Sequence, residues 1–474
     1  MSSKGHGGAV EKGRPDISRR GFVKLVGGSA AAALAGSSAI APHTKAATPA
    51  GKGTGAEALY QCKDNLKPFS SKNNAFKKVS EELGQPWLQL WLKNIVGNVK
   101  NAAIGKGIPV KDTRAAREHL SFWVGAGALN RIIGPYGEGL ENKGLLSWKP
   151  MKVPPMFVGN PDPNPDAGDL TKKVKQMARF YGAAQVGVAQ LNRKWVLDET
   201  CRNAYDPDPP KTQKIVFKDV KQPEETETEL AIPETVKYAI VIVVNQDRLT
   251  SLIGPASVQT SAASGMGYGR MGITVVALAE AIRTLGYNAI PSMNDTALSV
   301  PLAVDAGLGQ LGRHGMLITR EYGSVLRLGK VLTDMPLVAD SPVDFGVTEF
   351  CQRCKKCATN CPANCISFGE RSYDPQVDTG NPEALKWYIN GKKCLQYWID
   401  SGASCAACQA VCTYSKGSFW GHGVIRGMTA GVPMFDSVFA QLDDVFGYGA
   451  MRKPDEVWER KIFPFGIDPT KEII

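Results

Sequence analysis

Past residue 46, the strongest apolar run in the chain is Tyr238-Ala-Ile-Val-Ile-Val-Val244. It is short and rich in β-branched side chains, which suits a buried strand. Around it the period of the apolar positions alternates. Leu170 to Tyr181 has helical periodicity, and Gln185 to Ala189 reads as a short strand. Met266 to Leu285 predicts a long helix, stopped by Gly286. Asn288 to Pro291 then predicts a strand, Thr296 to Gly307 a helix, and Met316 to Thr319 and Leu326 to Leu332 two further strands. Lys221 to Leu230, with Glu224, Glu225, Glu227 and Glu229, reads as a solvated insertion. The alternation predicts an α/β core over residues 166–345. Residues 47–165 look mainly helical, with Trp87, Trp91, Trp123 and Trp148, and end in a proline-rich boundary from Pro150 to Asp166.

The length of 474 residues agrees with about three domains. Hydrophobic residues make up 43% and charged residues 21%, which excludes a mostly disordered chain. The net charge of +11 is uneven: residues 1–46 hold seven Lys or Arg and two acids, leaving +6 for the rest. That remainder, without a basic run interleaved with aromatics, points to a mildly basic surface and away from a nucleic-acid partner. Ser18-Arg19-Arg20-Gly21-Phe22-Val23-Lys24 matches the twin-arginine export pattern S-R-R-x-F-x-K. The stretch that follows, Leu25 to Ile40, is diluted by Gly and Ala. It is too weakly apolar for a stop-transfer helix, so residues 1–46 read as a cleaved leader read by the twin-arginine machinery. That route carries folded proteins, which fits a cofactor loaded before export.

Eleven cysteines in an exported chain invite a disulfide reading, but their spacing refuses it. Cys351, Cys354, Cys357 and Cys361-Pro362 form C-x2-C-x2-C-x3-C-P; Cys394, Cys405, Cys408 and Cys412 follow. A cubane needs four thiolates, and three at two-residue spacing wrap only one face of it. In two-cluster ferredoxins the Cys before Pro serves the other cluster. One 4Fe–4S cluster then takes Cys351, Cys354, Cys357 and Cys412, and the other Cys361, Cys394, Cys405 and Cys408. Zinc rarely uses this spacing. The paired motifs predict a ferredoxin-like module over residues 346–416, followed by a tail over 417–474. Cys365 has no slot in this scheme: it could replace a ligand or be a plain buried thiol, and the second reading is favoured because free cysteines are commonly buried; Cys62 and Cys201 also read as structural.

Leader, core and late paired cluster motifs together resemble the cobamide-dependent reductive dehalogenases over essentially the whole chain. Four stretches carry the likeness: Ser264-Gly-Met-Gly-Tyr268-Gly-Arg-Met, Leu285 to Thr296, the glycine-rich Asp305 to Thr319 with Arg327 in the next strand, and Lys393-Cys394-Leu-Gln-Tyr-Trp398. The resemblance implies a nitroreductase-like cobamide-binding core beside the two-cluster domain. It implies a base-off corrinoid, because that family lacks the D-x-H-x-x-G motif; His6, His43, His119, His314 and His422 indeed do not form it.

The implied reaction is R–X + 2e⁻ + H⁺ → R–H + X⁻, with electrons relayed through the clusters and the corrinoid carrying the hard step. Family matching makes Tyr268 the proton donor and Arg327 the cation that favours its phenolate. Asn294 would hydrogen-bond in the same pocket, and Trp398 would be a pocket wall. Gly307, Gly309 and Gly312 would let the backbone approach the cofactor, although tight turns account for them equally well. Asn294-Asp295 before Thr296 is also a ready helix N-cap. Implied partners are an organohalide, a small integral membrane anchor protein and a respiratory electron donor. The place of action would be the outer face of the cytoplasmic membrane. Two alternatives are an epoxyqueuosine reductase-like enzyme acting on tRNA, which has no export leader, and a plain iron–sulfur electron carrier, which would not need the large core.

Overall fold

A computed structural model describes residues 45–46, 61–128, 146–148, 159–201, 212–375, 377–415, 451–459 and 464. The twin-arginine segment, most of the tail, and His6, His43 and His422 lie outside them. The first region supplies three helices: α1 (Ala75–Leu83), α2 (Trp87–Lys100) and α3 (Thr113–Ala126). The proline-rich boundary ends where Asp166 caps α4 (Ala167–Phe180), its carboxylate accepting from the N–H groups of Gly168 and Asp169.

The core follows in the order β1 (Gln185–Gln190), β2 (Glu199–Cys201), β3 (Thr212–Lys218), β4 (Glu224–Glu225), β5 (Glu229–Pro233), β6 (Tyr238–Asn245), α5 (Val258–Thr284), β7 (Ala289–Ser292) and α6 (Ser299–Asp305). The short strands β8 (Gln310–Leu311) and β9 (Leu317–Ile318) precede β10 (Leu326–Thr333). The central sheet runs β1–β6–β10–β7 with every pair antiparallel, which is the α+β form of the expected class. Strand β6, the strongest apolar run, is its spine. Ile240, Ile242 and Val244 face α4 and α5, against Val174, Met271, Val275 and Leu278. Ala239, Val241 and Val243 face the other way, against α6 and the second sheet. Alternation sends these residues to opposite faces, and both faces are covered.

Three expectations need correction here. The acidic segment 221–230 is not a free insertion: β4 and β5 belong to a second sheet of order β2–β3–β5–β4, and Glu225 accepts from the Ser147 hydroxyl and the Trp148 N–H. Pairing with β3 outweighs the charge. The helix expected from Thr296 starts only at Ser299, because the chain turns through a left-handed Thr296 (φ 64°) and Asp295 folds back onto the N–H of Met293. Asn294-Asp295 therefore caps nothing. The helix expected from Met266 starts two turns earlier, at Val258, where the Ser257 hydroxyl caps it. That first part is buried on all sides and shows no amphipathic period.

Lys330 on β10 is fully buried and donates to the Met293 carbonyl (2.6 Å) and the Ser299 hydroxyl (3.0 Å). Burial pushes its pKa down from 10.5 to about 8, against the attraction of Asp295. Between those values the unfolded chain binds the extra proton, so this residue's contribution to stability rises with pH. The melting temperature of wild type minus that of Lys330→Met should therefore increase from pH 8 to pH 10.5. A flat difference in thermal melts would show that Lys330 titrates as it does in the unfolded chain.

The ferredoxin-like part carries α7 (Val347–Cys354), α8 (Lys356–Thr359), α9 (Gly391–Ser401) and α10 (Ala407–Ala410). Helices α1 and α2 pack on α9 through Val79, Trp87, Trp91, Leu395 and Ile399. The Asn94 and Asn98 amides donate to the Ile399 and Ser401 carbonyls. The N-terminal region thus braces the cluster module. Among the described residues no helix is long and apolar enough to cross a membrane.

Candidate active site

Tyr268 sits inside α5, not at a turn or helix start as its flanking glycines suggest. The glycines serve close packing. A Cβ on Gly267 would stand 3.0 Å from the Gln246 side chain and 3.2 Å from that of Arg327; one on Gly265 would stand 3.2 Å from the Gly127 backbone. Strand β10 does the same from its side, since a Cβ on Gly329 would meet Val275 and Met271 of α5 at under 3 Å. Helix and sheet therefore lie close, and Arg327 comes up beside Tyr268.

Three elements deliver the site. Tyr268 comes from α5, Arg327 from the start of β10, and Asn294 from the turn after β7. The Asn294 amide donates to the Tyr268 hydroxyl oxygen at 2.8 Å. The Arg327 guanidinium lies over the Tyr268 ring, 4.8 Å from its centroid, and bonds to the Ser264 hydroxyl one turn earlier on α5. The cation thus meets the face of the ring while the amide meets its oxygen. Tyr268 and Arg327 are partly buried and Asn294 is exposed, so the group opens to solvent. The Arg327 Nε and the Gln246 Oε1 are buried without hydrogen-bond partners, a donor and an acceptor left for something that enters.

The other expected cofactor contacts come from other elements. Trp398, on α9, packs against Phe76 at 6.3 Å between centroids, and its indole N–H is buried without a partner. The glycines have packing reasons. Gly307 takes a left-handed turn after α6, with the Ser341 carbonyl where a Cβ would go. A Cβ on Gly309 would sit 2.2 Å from the Ile318 carbonyl, and one on Gly312 against Ile318 and His314. Their tight-turn and close-packing reading is the one with contacts behind it. Of the described histidines, His119 pairs with Gln259, and His314 is buried beside cysteines with its pKa pushed down to about 4.

Cys351, Cys354, Cys357 and Cys412 line one cavity, the four thiols that the spacing grouped together. Burial pushes Cys354 to about 11 and Cys357 to about 12, and Cys351 well above the usual thiol value. Bare thiolates are costly there, so bound iron would supply the compensating charge. Among the described residues no three metal-ligating side chains converge as round a single ion, and these cysteines enclose a volume instead. Arg313, from the glycine-rich segment, also lines the cavity. It donates to the carbonyls of Cys351 (2.9 Å), Ser367 (2.7 Å) and Gly369 (3.0 Å) and lies 4.5 Å over the Trp387 ring. No spacing signal singled it out, because its partners are backbone carbonyls more than 35 residues away.

Cys361, Cys394 and Cys408 gather in a second apolar cluster, which Cys357 also joins. Cys408 feels both Cys357 and Cys405, so the two thiol sets are neighbours, as a short relay requires. Cys365 is in this cluster too.

A 4Fe-4S dicluster domain matches residues 350–416. The tetrachloroethene reductive dehalogenase of Sulfurospirillum multivorans is 35% identical, over 97% of this chain and 96% of its own length. The tetrachloroethene reductive dehalogenase of Desulfitobacterium hafniense (strain Y51) is 36% identical, over 61% of this chain and 55% of its own length. Among solved structures, a reductive dehalogenase for which a B12-dependent dehalogenation mechanism is suggested superposes with a TM-score of 0.58 at 19% identity. The match covers 83% of this chain and 48% of that one, a likeness of fold.

Proposed function

The chain belongs to the reductive dehalogenases, and on that premise we propose that it uses a cobamide and two 4Fe–4S clusters to reduce an organohalide beside Tyr268. It is an oxidoreductase acting on carbon–halogen bonds, which sets aside the tRNA-acting relative and the plain electron carrier. The observation that carries the site reading is the three-residue group: a phenol whose oxygen accepts from Asn294 and whose ring lies under Arg327.

When bound, the cobamide supplies the reducing chemistry at the carbon–halogen bond. The chain's own residues do the rest. Tyr268 gives the proton that replaces the halide. As that proton leaves, charge grows on the phenol oxygen; the Asn294 amide bond to it strengthens and the Arg327 charge stands close by. Asn294, exposed and fixed on the phenol, helps orient the substrate or departing halide. Gln246, Arg327 and Trp398 carry unpartnered polar atoms, which supports assigning them to the walls of the cofactor and substrate space. The Cys351, Cys354, Cys357, Cys412 set and the Cys361, Cys394, Cys405, Cys408 set would each hold one 4Fe–4S cluster, and the clusters would supply one-electron transfer.

The Ser18–Lys24 motif supports export by the twin-arginine route and work at the outer face of the cytoplasmic membrane, on a small anchor protein, as the terminal reductase of organohalide respiration. Full-length, uncleaved protein in the cytosol of the native cell would overturn that part. The relatives' substrate makes tetrachloroethene the first compound to try. Protein reconstituted with cobamide and iron–sulfur clusters should release chloride from it with reduced viologen as donor. No halide from a panel of chlorinated ethenes, alkanes and aromatics, with both cofactor types loaded, would overturn the assignment.

A further inference from the structure

The second thiol set has five members where a cubane takes four, and the geometry accounts for the fifth. Cys365 is buried, and its sulfur lies 3.3 Å from that of Cys361. The turn between them is tight: the Asn364 N–H reaches the Cys361 carbonyl at 3.0 Å, and Asn364 itself is left-handed, with φ 47°. The Cys365 carbonyl then accepts from the Asn390 N–H at 2.8 Å, and Ile366 bridges to Ile389. Asn390 is the cap of α9, the helix that carries Cys394 one turn later. The backbone therefore ties Cys365 to both flanking cysteines, and its thiol faces that of Cys394 as well as that of Cys361. From the far side, Cys405 and Cys408 both interact with Cys361 and Cys365.

We propose that Cys365 is a ligand-competent thiol of the second cluster, able to take the position of Cys394. Two sulfurs as close as those of Cys361 and Cys365 would compete for one iron and not hold two. Rotation about the Cα–Cβ bond of Cys365 would turn its thiol toward Cys394, with which it also interacts. The exchange is a ligand substitution: the Fe–S bond to Cys394 is absent, one to Cys365 forms, and the thiol proton leaves to solvent. No electron changes hands. A fifth thiol in reach would let the cluster survive loss of its most separate ligand, the one supplied by a different helix.

This rests on the two-cluster reading, and wild-type protein holding about eight irons tests that reading separately. Iron and sulfide content and the electron paramagnetic resonance of the dithionite-reduced protein would be measured for Cys365→Ala, Cys394→Ala and the double variant. Each single variant should keep about eight irons, Cys394→Ala with a changed signal from one cluster, and the double variant should keep about four. The first cluster's signal, present throughout, reports that the chain has folded. Cys394→Ser repeats the test with a side chain closer in size. A fall to about four irons in either single variant, with the first cluster's signal retained, would overturn the proposal, as would about eight irons in the double variant.

Discussion

Cys357→Ser should halve the iron of the protein, from about eight to about four per chain, and abolish halide release while cobamide content stays near wild type. Cys357 lines the cavity shared with Cys351, Cys354 and Cys412 and also touches the second thiol cluster. Serine keeps the volume but offers a hydroxyl, a far weaker acid and a poorer match for iron than a thiolate. The loss should not spread to the fold, because Arg313 ties the Cys351 end of the cavity to the Ser367–Gly369 backbone independently of Cys357. Colorimetric iron and sulfide content, read beside corrinoid absorbance, checks it. Eight irons retained, or zinc in their place, would show that the ligand partition is wrong.

What could be read in advance depended on whether a residue's partners were near in sequence. The buried strands were legible because β-branched apolar runs leave few alternatives, and β6 and β10 fall within a residue or two of their expected bounds. The grouping of thiols round the first cavity was legible because three of its four cysteines stand at three-residue intervals. The environment of Tyr268 came through the family likeness and not from local pattern. Gly265, Gly267 and Gly269 look like a break in a helix, yet they let α5 approach Gly127, Gln246 and Arg327, all distant in sequence. Asn294 looked like a cap until the left-handed Thr296 delayed the next helix and left its amide for Tyr268. Arg313 escaped because its partners come together only when the cluster module closes on the core. Spacing motifs reveal ligands that are local, and pockets reveal the rest.

The proton step gives the sharpest test of the catalytic group. Tyr268→Phe keeps the ring, its place in α5 and the cation stacked on its face, and removes only the hydroxyl to which Asn294 donates. If Tyr268 delivers the proton, halide release should fall roughly 10²–10⁴-fold, the usual worth of general acid catalysis, while iron and cobamide contents stay near wild type. Arg327→Leu should also fall, since the charge that favours the departing proton is gone; Arg327→Lys should retain part, keeping charge without the planar fork. The Tyr268→Phe and Arg327→Leu losses should not add in the double variant, because both residues serve one step. A solvent isotope effect on kcat in wild type that disappears in Tyr268→Phe would mark the same step. Near-wild-type turnover in Tyr268→Phe with cofactors intact would mean that water or another side chain supplies the proton. The Asn294–Tyr268–Arg327 group would then shape the pocket without working in the reaction.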